Sequence, residues 1–143
     1  MAFVSITRLR IRSWRFMPAF VVDTIRTRAQ VTRAEGFIAG SLLPDRAFAF
    51  WTMTLWRDAA AMRDYMTHGA HLRAMPKLLG WCDEASVVHW QQDGDGLPDW
   101  AEADRRMRAE GRASKVRHPS ATHAALDYRP PRLSGAVPIR PGG

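Results

Sequence analysis

Chemistry in this chain of 143 residues has to come from a short central stretch, residues 48–90. That stretch holds four of the six tryptophans, three of the five histidines and the lone cysteine. His71 is its most versatile side chain. Near neutral pH an imidazole can take up a proton as a general base or ligate a haem iron axially. Just past Gly69, it can equally be a polar core or helix-capping residue. His68 precedes it by three residues, and such a pair binds zinc only on an unbroken helix with a third ligand nearby. No cysteine or acid is placed to be that ligand, so no metal site is assigned. Tyr65 can donate a hydrogen bond to a ketone or phenol, or leave its hydroxyl in solvent. Trp51, Trp56, Trp81 and Trp90 can stack on a flat or polyene ligand, or fill the core at strand ends. Arg8 and Arg10 can hold an anion or stabilise an enolate or phenolate, or pair with Asp83, Glu84 or a partner chain. Trp14-Arg15-Phe16-Met17 can form a pocket lid or a shallow membrane contact, or staple the start of a helix. Cys82 has no activating neighbour and reads as buried and inert. The chain has no P-loop, dinucleotide fingerprint, nucleophile elbow or paired-histidine zinc motif.

The elements that must position these groups follow from periodicity. Residues 3–12 alternate, with Phe3, Ser5, Thr7, Leu9 and Ile11 on one face and Val4, Ile6, Arg8, Arg10 and Arg12 on the other. Pro18 suits a first helical turn, and a helix from about Pro18 to Arg33 gathers Val21, Val22, Ile25 and Ala29 on its apolar side. Gly36 stops it. Strands are expected at 37–43 and 47–56, joined by a turn around Pro44. In the second, Phe48, Phe50, Thr52, Thr54 and Trp56 share one face and Trp51, Met53 and Leu55 the other. Asp58 caps a helix to about Met66. Gly69 breaks it, and a further helical segment from Ala70 to Leu79 carries a Leu72, Met75, Leu79 stripe. Residues 85–91 return as a strand. The result is an α+β, ferredoxin-like β-α-β-β-α-β plan with a four-stranded antiparallel sheet over residues 1–92. Residues 93–143 form a helical arm at about 99–110 (Trp100, Ala103 and Met107 on one side) and an irregular Pro/Gly-rich tail, extended and partly disordered. One sheet face lies under the helices. The residues after Trp90 look too polar to cover the other, so a homodimer with sheets packed face to face is expected.

Composition narrows the partners. Apolar residues make up 46% and charged residues 24%, ordinary for one globular domain. The net charge of +7 is diffuse along the sequence, with no Lys/Arg run or aromatic-basic stripe, so nucleic acid is not an expected partner. There is no stretch of about 18 apolar residues and no signal-peptide pattern, and one cysteine cannot form an intrachain disulfide. A cytoplasmic protein is expected, with no transmembrane segment and at most peripheral membrane contact.

The spacing W-x(8)-[YWF]-x(5)-H-x(3)-M, met here by Trp56, Tyr65, His71 and Met75, resembles the dimeric α+β barrel superfamily. The nearest likeness is to spheroidene monooxygenase-like and antibiotic biosynthesis monooxygenase-like domains and an allied family of uncharacterised bacterial proteins. It covers residues 3–92. The resemblance implies a pocket between sheet and helices in each subunit, and either a haem or no cofactor. Haem-degrading members place an asparagine, a tryptophan and a histidine where this chain has Thr7, Tyr65 and Met75, and all three depart. Gly69, His71 and Met75 match the G-x-H-x-x-x-M of the spheroidene monooxygenase-like sequences. The resemblance thus implies a monooxygenase-like enzyme acting on an apolar, conjugated small molecule. His71 is its base or haem ligand, and Trp56, Tyr65, Thr7, Arg10 and Trp14 line the substrate site. The alternative is a non-catalytic homodimeric ligand-binding or scaffold protein.

Overall fold

Alternation at the N-terminus builds the strand that the rest of the sheet assembles around. In the computed structural model, which describes residues 1–142, β1 (Ala2–Ile11) lies between β3 (Ala49–Trp56) and β4 (Cys82–Gln92), antiparallel to both. β2 (Phe37–Pro44) adds to the other side of β3. Two short strands extend the edges, β5 (Arg112–Ala113) beside β4 and β6 (Val137–Ile139) beside β2. The order is β5-β4-β1-β3-β2-β6, so the expected four-stranded ferredoxin-like sheet is present at the centre of a six-stranded one. The helices are α1 (Met17–Thr32), α2 (Ala59–Met66), α3 (Gly69–Trp81) and α4 (Trp100–Glu110).

Local chemistry sets the boundaries. β3 begins two residues later than expected because Ala47 and Phe48 turn into the left-handed region (φ 57° and 64°). The Asp45 amide donates to the Ala49 carbonyl across that turn. Gly36 ends the α1 loop at φ +83°, where a Cβ would stand 2.6 Å from that of Ala61. Only glycine satisfies both demands. Asp58 caps α2 by accepting from the Ala61 amide at 2.8 Å, and Asp99 caps α4 by accepting from that of Glu102 at 2.8 Å.

The apolar stripes of α1 and α3 do not face the sheet. α1 buries Phe20, Asp23 and Val31, while Val21, Val22 and Ile25 stand in solvent. α3 buries Ala74 and leaves Leu72, Met75 and Leu79 exposed. Sequence periodicity locates a stripe but does not say which of two apolar sides turns inward.

The second sheet face corrects the expectation of a bare layer. Val4, Ile6, Trp51, Met53, Leu55 and Val88 are buried there against Trp100, Ala103 and Met107 of α4 and against Tyr128. Trp51 packs edge-on to Trp100 (6.3 Å) and to Tyr128 (5.6 Å). The arm and tail are polar on average, but four apolar side chains at the right spacing suffice. Beyond α4 the chain pairs with β4, crosses this face through Tyr128 and pairs with β2 on the far edge. A short strand of the same chain thereby pairs with part of each edge of the central sheet. Several points of the tail are hydrogen-bonded to the body. Ser114, Arg117 and Ser120 donate backbone bonds to Ala85, Leu79 and Asp83, and Gly142 to Thr32. The chain's own arm fills this face, so the bare-layer argument for a face-to-face homodimer does not apply to it.

Buried charge locks the arm in place. Arg8 donates to Glu84 at 2.6 Å, and Arg10 reaches the same carboxylate at 3.2 Å. Burial pushes the Glu84 pKa up, but hydrogen bonds from Arg8 and Ser120 and the two arginine charges outweigh it, and the net direction is down. Burial raises that of Asp83. The Tyr128 ring lies between Arg8 (4.3 Å) and Arg108 (4.2 Å), and its hydroxyl donates to Asp104 at 2.9 Å.

Candidate functional site

The helix-covered face of the sheet carries hydroxyls where the opposite face carries hydrocarbon. Period-two alternation puts Ser5 and Thr7 of β1 on this face, and antiparallel register sets them directly opposite Thr54 and Thr52 of β3. Above this floor lies a cavity of about 300 Å³. α1 roofs it with Phe20, Thr24 and Thr27, α2 supplies Met62, Tyr65 and Met66, and α3 supplies His71, Ala74 and Leu78. Leu9, Leu42, Phe50 and Val87 complete an apolar wall. A small, largely apolar pocket with a few convergent polar groups is the usual form of a small-molecule site.

His71 sits in the first turn of α3, where backbone amides lack helical partners. His68, the capping residue, makes no side-chain cap. The Gln30 side chain of α1 does it instead: its oxygen accepts from the His71 amide at 2.8 Å, and its nitrogen donates to the carbonyls of Tyr65 (3.0 Å) and His68 (2.8 Å). Gly69, at φ +59°, lies against that amide, where a Cβ would come within 3.3 Å of it. Gln30 therefore holds the junction between α2 and α3 in one place. Its neighbours in sequence show no pattern that marks it, and only folding brings residues 30 and 71 together.

The imidazole is oriented as well as positioned. Its Nδ1 lies 3.2 Å from the Met66 carbonyl, an acceptor only, so Nδ1 carries the proton and Nε2 keeps its lone pair. Burial lowers the His71 pKa below the ordinary histidine value, partly offset by the bond to Met66. The positive end of α3 acts in the same sense as burial. The ring packs 4.9 Å from that of Tyr65, which in turn lies 5.3 Å from Trp56. Burial also raises the Tyr65 pKa, so its phenol stays protonated and donates weakly to the Thr27 carbonyl at 3.4 Å.

The structure thus brings His71, Tyr65 and Thr7 together on one cavity. Trp56 is fully buried behind Tyr65 and against Phe37 (5.4 Å), and does not reach the cavity. Arg10 lies on the other side of the sheet, as alternation from Thr7 requires, and is spent on Glu84 and Asp83. Trp14 is 71% exposed in a short 3-10 turn (Trp14–Phe16), away from the cavity. His68 points to the Asp64 carbonyl at 2.7 Å. Among the described residues no group of three or more His, Cys, Asp or Glu side chains gathers as a metal would need. Cys82 is buried, and burial together with the Asp83 charge pushes its thiol pKa up to about 12. Sequence reasoning missed Asp23, a cavity-lining carboxylate on α1 paired with Lys77 of α3 at 3.1 Å.

Haem is tested by the same residues and does not fit. The cavity lies at the lower end of the range for drug-sized ligands, and a porphyrin is larger. Its two propionates would meet one cationic lining side chain, Arg28, which donates to the Pro138 carbonyl at 3.1 Å.

Comparison with known proteins agrees with this architecture. The family described as "Domain of unknown function (DUF3291)" matches residues 13–131. Curated proteins give no match. The fold is similar to SnoaB, a cofactor-independent oxygenase from Streptomyces nogalater (20% identity, TM-score 0.53, 65% of this chain and 94% of that one). It is similar to an antibiotic biosynthesis monooxygenase (16%, TM-score 0.57, 66% and 100%). A conserved protein from Methanosarcina mazei Go1 also matches (11%, TM-score 0.58, 65% and 94%). At such identities the likeness shows the ferredoxin-like, antibiotic biosynthesis monooxygenase-type fold, as the resemblance implied. No helix among the described residues is long and apolar enough to cross a membrane.

Proposed function

The chain belongs to the family of the domain of unknown function DUF3291, and from that premise we propose a cofactor-free, monooxygenase-like enzyme acting on an apolar, conjugated phenol or enol. Residues 1–92 form its working body, and 93–142 form a cover that makes a single chain sufficient. A cytoplasmic setting suits its one buried thiol. The observation that carries the reading is His71: a half-buried imidazole on the cavity wall, its pKa lowered by burial, its Nδ1 engaged by Met66 and its Nε2 free.

In this reading Nε2 takes the proton of the substrate hydroxyl, and the Thr7 and Thr52 hydroxyls donate to the oxygen anion left behind. The electron-rich ring carbon then reacts with dioxygen. One oxygen atom stays on that carbon as a carbonyl, and the other leaves as water with the carbon's hydrogen and the hydroxyl proton. The substrate supplies the electrons, so a phenol and dioxygen give a quinone and water. Tyr65, protonated throughout, would turn its one O–H from the Thr27 carbonyl to the bound ligand. Stacking on apolar walls selects a flat ligand.

Oxygen uptake by the purified protein with a panel of polycyclic phenols tests this. Uptake that falls about 10²–10⁴-fold in His71→Ala, with an unchanged circular dichroism spectrum, supports a general base. Binding of the same compounds without oxygen uptake supports the ligand-binding alternative. One feature favours that alternative: the cavity's carboxylate, Asp23, is tied to Lys77 and leaves His71 without an acid partner.

A further inference from the structure

Folding gathers nearly all the net charge onto one layer. Residues 12–33 and 69–81 hold seven cations and one acid, while the rest of the chain holds fourteen and thirteen. All seven cations (Arg12, Arg15, Arg26, Arg28, Arg33, Arg73 and Lys77) are exposed, and the single acid, Asp23, is buried. α1 and α3 pack side by side over the sheet. The sides turned away from the sheet are apolar: Val21, Val22 and Ile25 (63% exposed) on one, Leu72, Met75 and Leu79 on the other. Trp14 stands free at the N-terminal end of α1.

We propose that this outer face of the helical layer docks on an anionic lipid bilayer. Apolar side chains with arginines beside them and an exposed tryptophan are what an interfacial surface needs, the first entering the headgroup boundary and the second meeting acidic lipid. A second copy of the chain is disfavoured, since it would bring the same positive face. Nucleic acid would reward the arginines and waste the hydrocarbon between them. Val21 and Ile25 line the cavity and also stand exposed, so the cavity mouth opens onto the docking face. An apolar ligand dissolved in the bilayer would enter without crossing water. The docking itself does not depend on any reaction in the cavity.

Co-sedimentation of the full chain with vesicles of phosphatidylcholine alone, or mixed with phosphatidylglycerol, tests this. Binding is expected only to the mixed vesicles, and is expected to weaken at a salt concentration on the order of 0.5 M. Each of Arg26→Gln and Arg73→Gln should lower the partition coefficient about five-fold. Val22→Asp and Leu72→Asp, exposed changes away from the cavity, should abolish binding while the melting temperature holds. Arg105→Gln on α4 should change nothing. The proposal is overturned if the wild type ignores the mixed vesicles, or if Val22→Asp and Leu72→Asp bind them as well as it does. Tight binding to polyglutamate or duplex DNA without vesicle binding would also overturn it, and assign the face to an acidic protein or a nucleic acid.

Discussion

Replacing Trp100 by alanine strikes the contact by which α4 substitutes for a second sheet. Trp100 is 8% exposed and packs edge-on against Trp51, on the face that also buries Ile6, Met53 and Leu55. Truncating a buried tryptophan costs about 3–5 kcal/mol, a large part of the roughly 5–15 kcal/mol that holds a domain of this size together. If arm and sheet unfold as one unit, the urea midpoint falls by about 1.5–2.5 M with a slope unchanged near ~2 kcal/mol/M. If the arm leaves first, the uncovered face exceeds the few hundred Å² of apolar patch a lone chain tolerates, and the protein self-associates. Urea melts read by near-ultraviolet circular dichroism, paired with light scattering, separate the two routes. The wild type should scatter as a monomer. A shift no larger than the ~0.5 kcal/mol of an ordinary surface substitution, with the variant still monomeric, would refute a seated arm.

Other consequences are checked by shorter experiments. Gln30→Leu removes three hydrogen bonds at the α2–α3 junction; kcat should fall more than KM rises, and Gln30→Glu should restore less than half of it because a carboxylate cannot donate to the Tyr65 and His68 carbonyls. Glu84→Ala leaves Arg8 buried without its carboxylate and should cost about 3–5 kcal/mol in a chemical melt. The Glu84 pKa is lowered by folding, so its contribution is present above about 4.5 and is lost as pH falls through the folded value, which an acid titration of stability should show. Native Cys82, with its thiol pushed up to about 12, should resist alkylation at neutral pH and react only after unfolding.

The residues explain what was and was not legible beforehand. Strict alternation in residues 3–12 and 48–56 fixed which side chains share a sheet face, and the structure keeps those sets: Ser5, Thr7, Thr52 and Thr54 under the cavity, Trp51, Met53 and Leu55 on the far side. Capping chemistry placed α2 at Asp58, and the arm helix expected at about 99–110 is found at Trp100–Glu110. Long-range arrangement was out of reach. Nothing local tells that Gln30 caps His71, or that Tyr128 crosses the sheet between two arginines. The charge looked diffuse along the sequence because its concentration depends on two helices separated by 36 residues lying side by side. Average polarity also misled: the tail is mostly hydrophilic, yet a few apolar anchors decide where it sits.

The reading of the site rests on one imidazole, and long-range ¹H–¹⁵N spectra of His71 across a pH series examine it most directly. The ring should be neutral and protonated at Nδ1, with a titration midpoint below 6.5 and shifts at Nε2 when a polycyclic phenol is added. A midpoint at or above 6.5, or a proton found on Nε2, would contradict the reading.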